Sequence, residues 1–259
     1  MLKQRAISAI VGIPLVLGIT WIGGWLFFLM LAFVGHLALR EFYRLAAVKD
    51  KAVQILAIAG HYFLMFTLWF WGAQSLSSAF ILFFLLVNLY WVVTYPKDFR
   101  MLSAIMWGIM YVSLLLSFFL LIRIQPQGFT LVVAVFLAVW ASDTGAYFIG
   151  TTFGRRRLAP SVSPKKSLEG ALGGVVFSLL LFLLLAPQLN MPRDFAALFA
   201  IILSLAGQAG DLSESAFKRW SNTKDSGTFL PGHGGVLDRI DSLLFAAPTA
   251  FFLIHFFLR

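Results

Sequence analysis

The polar run from Gly210 to Asp241 carries more chemical potential than any other part of the 259-residue chain. It holds Asp211, Glu214, Asp225, Asp238 and Asp241, five of the eleven carboxylates. Asp211 and Glu214 are three residues apart with Ser215 one further on, so on a helix they share one face. Asp238 and Asp241 repeat that spacing. Two helix ends can therefore aim carboxylates into one space, where a bound cation relieves their repulsion. Oxygen donors in a chain without cysteine favour magnesium or a similarly hard ion. Lys218, Arg219, Lys224 and Arg239 stand among the acids and can neutralise phosphate oxygens, arginine through paired N–H donors. The turn Pro231, Gly232, His233, Gly234 and Gly235 permits close approach of backbone N–H groups to a ligand. It leads into a helix start, a favourable place for an anion. Carboxylates, cations and a glycine turn are the parts that metal-assisted phosphoryl or nucleotidyl transfer requires.

Two smaller clusters accompany this run. Asp143 lies near the inner end of an apolar stretch, and ionisable groups inside a membrane span are costly enough to imply function. Lys165 and Lys166 precede a helix start and are available to phosphate. Gly170 and Gly174 make a G-x-x-x-G better suited to helix packing than to chemistry. His36, His61 and His255 are isolated and carry no assigned role.

These groups must be positioned by helices in lipid. The chain is 60% hydrophobic and 12% charged, with mean hydropathy +0.89, against about 25% charged residues in soluble domains. The pattern predicts an all-α polytopic transmembrane bundle of about nine spans. The uncharged stretch from residue 6 to 39 is too long for one span and breaks at Trp21–Gly24. Later spans fall near residues 52–70, 75–94, 102–122, 129–149 and 168–185, then a short one at 195–210 and a last one at 236–258. Residues 1–128 form an N-terminal region with spans 1–5. Residues 129–259 form the catalytic region with spans 6–9, the two making one integrated membrane unit. With the N-terminus inside, 17 of the 20 lysines and arginines lie in inner segments, and only Arg123, Arg193 and Arg259 lie outside. That asymmetry places the polar run on the cytoplasmic side. The net charge of +9 is read as contact with anionic lipid, not nucleic acid, for which no motif is present.

Ser215, Lys218, Arg219, Lys224, Asp225, Gly227, Gly232, His233, Gly234, Gly235, Asp238, Arg239 and Asp241 fall within 27 residues. Together they resemble the signature of the phosphatidate cytidylyltransferase (CDP-diglyceride synthase) family. The segments 142–150 and 163–170 resemble its accompanying motifs, in the same order. The resemblance is sharp over about residues 140–245; the first five spans match only as hydrophobic helices. It implies transfer of a cytidylyl group from CTP to phosphatidic acid, giving CDP-diacylglycerol and pyrophosphate for phospholipid synthesis. It implies Mg2+ as cofactor, with K+ associated, in the inner (plasma) membrane, and a homodimer is a candidate assembly. On this reading Asp211 and Asp238 are the metal ligands, with Glu214 as a third candidate. Catalysis is assigned to Asp211, Asp238, Lys218, Arg219, Lys224, Arg239 and Asp241. Substrate binding is assigned to Asp143, Lys165, Lys166, Ser215, Asp225, His233, Gly234 and Gly235. The competing readings are a CTP-dependent polyprenol or lipid kinase and, in a different class, an anion transporter. The D-G-x-x-A-R arrangement of CDP-alcohol phosphotransferases is not found.

Overall fold

A computed structural model describes residues 2–96, 98–227 and 234–257, with side chains from Ile10 onward. Among the described residues the helices are α1 (Leu2–Ile22), α2 (Gly24–Leu45), α3 (Lys51–Trp71), α4 (Leu76–Val93), α5 (Phe99–Gly108), α6 (Leu115–Arg123), α7 (Gly128–Phe153), α8 (Leu168–Leu185), α9 (Arg193–Trp220) and α10 (Leu237–Phe257). A π-helical turn, Ile109–Leu114, joins α5 and α6 into one rod. Eight of the resulting rods are long and apolar enough to cross a membrane, and Ile10–Ile22 of α1 forms a shorter apolar helix. The chain is a multi-pass membrane protein of nearly all-α construction.

Several boundaries depart from the apolar runs. α9 continues past residue 210 to Trp220, so the first third of the polar run is helical. Glu214 pairs with Lys218 one turn on, the spacing and order that best support a helix. α2 likewise continues to Leu45, which places Glu41 and Arg44 on a helix. Between α7 and α8, β1 (Arg157–Ala159) pairs antiparallel with β2 (Ser163–Ser167). Pro164 fits this two-stranded ribbon because an edge strand can spare its N–H.

Packing divides the chain into two compact units. The first comprises Met1–Ile124 and Asp225–Asp238; the second comprises Gln125–Lys224 and Arg239–Arg259.

In the first unit, Gly23 takes φ +68 between α1 and α2, which ends one helix and starts the next. Arg123 caps the end of α1: its Nε donates to the Thr20 carbonyl at 2.8 Å and its Nη2 to that of Trp21 at 3.1 Å. Phe27, Phe28, Phe42, Leu64 and Met65 are fully buried in this unit. His61 is buried as well. Its Nε2–H donates to the Ala32 carbonyl at 3.0 Å, leaving Nδ1 to accept from the Ser113 hydroxyl at 3.0 Å.

In the second unit, α7 and α8 approach through glycine. A Cβ at Gly174 would lie 2.8 Å from the Ser142 carbonyl, and one at Gly170 would lie 2.9 Å from that of Ala146. Such small-residue contacts let helix backbones meet where lipid supplies no hydrophobic drive. Ser142 and Ser204 hydroxyls meet at 2.7 Å, and Gln208 Nε2 donates to the Ala171 carbonyl at 3.1 Å. This polar seam holds α7, α8 and α9 in fixed relation.

Candidate active site

The second unit assembles carboxylates from three helices. Asp143 comes from α7, one residue beyond the buried seam residue Ser142. Asp211 comes from α9. Asp241 comes from α10, which α9 meets at Gly210: a Cβ there would stand 2.5 Å from the Asp241 carbonyl. Asp143 and Asp241 both feel the Asp211 charge, and Asp241 also feels that of Asp143. Opposing this concentration of negative charge are lysines. Lys166 Nζ lies 2.6 Å from Asp211 Oδ2, and Ser215 Oγ donates to Asp211 Oδ1 at 3.4 Å. Lys218 acts on Asp241 electrostatically and pairs with Glu214, whose side chain is 0% exposed.

The ribbon between α7 and α8 is tied down so that it presents its lysines. Glu169 accepts the Arg155 N–H at 3.0 Å and the Arg156 N–H at 3.2 Å. Ser167 caps α8 by accepting the Gly170 N–H at 3.1 Å. Arg219 Nε donates to the Val162 carbonyl at 3.2 Å, anchoring the ribbon turn to the end of α9. Lys165, Lys224 and Arg239 are exposed.

The first unit holds the remaining site residues. Asp238, at the start of α10, accepts three hydrogen bonds on Oδ2: from Gly235 N at 2.7 Å, Ser226 Oγ at 2.9 Å and Ser226 N at 3.0 Å. Gly234 takes φ +81, a left-handed conformation that favours glycine. The amides at the start of α10, which the sequence offers to phosphate, are already engaged. Val236 N donates to Glu41 Oε1 at 3.0 Å and Leu237 N to Glu41 Oε2 at 2.8 Å. A carboxylate of the chain itself thus occupies the place where an anion is favoured. Asp225 is exposed, and His233 lies outside the described residues.

Glu41, Arg44 and Ser226 were not legible as site residues. Arg44 donates to the Ser226 carbonyl, and Ser226 Oγ lies 3.0 Å from Glu41 Oε2. The available signal was a glutamate followed at i+3 by an arginine on the inner end of an apolar helix.

Magnesium commonly binds through one or two carboxylates plus substrate phosphates, without a full protein cage. Asp211 and Asp238 each offer one carboxylate of that chemistry. Among the described residues no group of three or more Asp, Glu, His or Cys forms a complete cage. Asp211 already accommodates a cationic partner in Lys166.

The model of the cytidylyltransferase family matches residues 3–257. The chain is 36% identical over 271 residues to a phosphatidate cytidylyltransferase of Bacillus subtilis (strain 168), covering 99% of this chain and 98% of that protein. It is 37% identical to the phosphatidate cytidylyltransferase of Haemophilus influenzae, covering 99% of each. It is 38% identical to that of Pseudomonas aeruginosa, covering 96% of this chain and 95% of the relative.

Proposed function

The chain belongs to the cytidylyltransferase family, and on that premise we propose that it transfers the cytidylyl group of CTP to phosphatidate, yielding CDP-diacylglycerol and pyrophosphate. The observation that carries this reading is similarity along the whole chain to phosphatidate cytidylyltransferases.

A phosphate oxygen of phosphatidate attacks the α-phosphorus of CTP in line, and pyrophosphate departs with the electrons of the broken P–O bond. The substrate presents its own anionic oxygen, so no protein nucleophile is required. The protein's task is to bring two polyanions together and hold them aligned. We assign Asp211 and Asp238 to hold magnesium, which when bound neutralises phosphate oxygens and eases departure of pyrophosphate. Lys165, Lys224, Arg219 and Arg239 supply positive charge to phosphate oxygens. Lys166 and Lys218 keep Asp211 and Glu214 paired while the acids are gathered. Asp143 and Asp241 orient the site from α7 and α10. The 17-to-3 distribution of cations supports a site on the cytoplasmic side, with the acyl chains remaining in lipid.

The test uses the full-length protein in detergent with phosphatidic acid, magnesium and CTP labelled at the α or γ position. Label is expected in lipid from α-labelled CTP alone, with one pyrophosphate per lipid product. Lipid labelled from the γ position would replace this reading with a kinase. Asp238→Asn is expected to abolish most turnover in a folded, membrane-inserted protein; near-normal turnover would remove Asp238 from the metal site.

A further inference from the structure

We propose that Glu41, on α2 in the N-terminal part of the chain, is a positioning residue that sets the Asp238 carboxylate through Ser226 and the first amides of α10. The inference rests on the reaction proposed above, and none of the site motifs in the sequence includes this glutamate.

Glu41 is 8% exposed, and burial of a carboxylate is unfavourable unless its oxygens are supplied with donors. They are: Oε1 receives Val236 N–H, while Oε2 receives Leu237 N–H and lies 3.0 Å from Ser226 Oγ. The cradle is shaped for a carboxylate. A Cβ at Gly227 or at Gly235 would collide with the Glu41 carboxyl group. Both glycines are buried, so the close approach of backbone is what admits Glu41.

The connection to Asp238 runs through one hydroxyl. Ser226 is fully buried. Its Oγ lies 3.0 Å from Glu41 Oε2 and 2.9 Å from Asp238 Oδ2, and it accepts the Asp238 N–H at 3.3 Å. One hydroxyl proton is shared between two carboxylates, so the position of each depends on the other. Arg44, one turn along α2 from Glu41, holds the Ser226 carbonyl from the same helix. The segment bearing Asp238 is thus gripped by α2 at Ser226, Val236 and Leu237.

Glu41→Gln keeps the size of the side chain but turns one acceptor oxygen into an N–H2 donor facing N–H and O–H donors. Loss of a partner that orients a ligand carboxylate typically lowers activity by about 10- to 100-fold. The full-length Glu41→Gln protein in detergent is therefore expected to lose turnover by about that factor, with half-saturating magnesium raised and partly rescued at high magnesium. Without substrates or magnesium, amide exchange at Val236–Leu237 should quicken, while exchange in α7 and α8 stays as in the unaltered protein. Unchanged exchange at those amides, or unchanged turnover and magnesium dependence, would overturn the proposal. So would exchange that quickens equally throughout, which marks a purely structural residue. Should Glu41→Gln fail to fold, Ser226→Ala removes the shared hydroxyl alone and is expected to shift turnover and magnesium dependence in the same direction; wild-type values for both would overturn the proposal. If the unaltered protein transfers no α-label to lipid, the assigned reaction fails. The exchange measurement still decides whether Glu41 grips the segment.

Discussion

Lys218→Met separates two roles that one lysine could hold, a contact to substrate phosphate and the partner of a buried acid. Glu214 is 0% exposed and Lys218 14% exposed, and the two form an ion pair one helical turn apart on α9. Removing one partner of a buried pair costs about 3–5 kcal/mol because the other charge is left desolvated. The residual exposure of Lys218 puts the expected loss near the lower end, about 3 kcal/mol. At about 2–4 °C per kcal/mol for a chain of this size, the midpoint in detergent should fall by roughly 6–12 °C. Glu214→Gln alone should cost less, because the lysine stem can carry its ammonium toward water. The double variant Glu214→Gln/Lys218→Met should recover more than half of the loss. Thermal melts of all four proteins, followed by turnover of the folded fraction, make the assay. A midpoint for Lys218→Met equal to that of the unaltered protein, or no recovery in the double variant, would refute the ion-pair reasoning. A double variant that recovers its midpoint while losing turnover would place Lys218 on the substrate as well.

Gly174→Val should push α7 from α8, because the added Cβ meets the Ser142 carbonyl at 2.8 Å and its hydroxyl at 2.9 Å. A cost of about 1–3 kcal/mol is expected, together with reduced turnover from the displaced Asp143. Gly18→Val, where nothing lies within 4 Å, should leave the melt unchanged. Arg123→Ala removes both capping hydrogen bonds at the end of α1 and should cost about 1.5–3 kcal/mol. The loss would be read as a lower denaturation midpoint with turnover per folded molecule intact.

Most of the helical scaffold was legible because lipid requires continuous apolar runs. The run at 168–185 coincides with α8, and the break at Trp21–Gly24 coincides with a left-handed glycine. Hydropathy failed where helices leave the apolar run. The eighth span was expected to end near 210, yet α9 continues to Trp220 on side-chain pairs that a hydropathy window counts as loop. The ribbon at Arg157–Ala159 and Ser163–Ser167 was hidden by its prolines and short strands. The acids and lysines were readable from type and spacing, but their pairing was not. Lys166 with Asp211 and Glu41 with Val236 join residues far apart in sequence. The engaged N-terminus of α10 is the clearest case. A glycine turn before a helix start suits phosphate, yet a glutamate from α2 holds those amides instead.

That glutamate also imposes an order on biosynthesis. Glu41 precedes Val236 by 195 residues and Leu237 by 196, so a growing chain threads α2 long before its backbone donors have been polymerised. A truncated translation product ending before Ser226 would carry a carboxylate lacking both of these backbone donors. Such a product would retain an unsettled segment at the inner end of α2. Completion of the polypeptide and maturation of the Asp238 environment are therefore coupled: a ribosome must reach α10 before the first unit can close on its own glutamate.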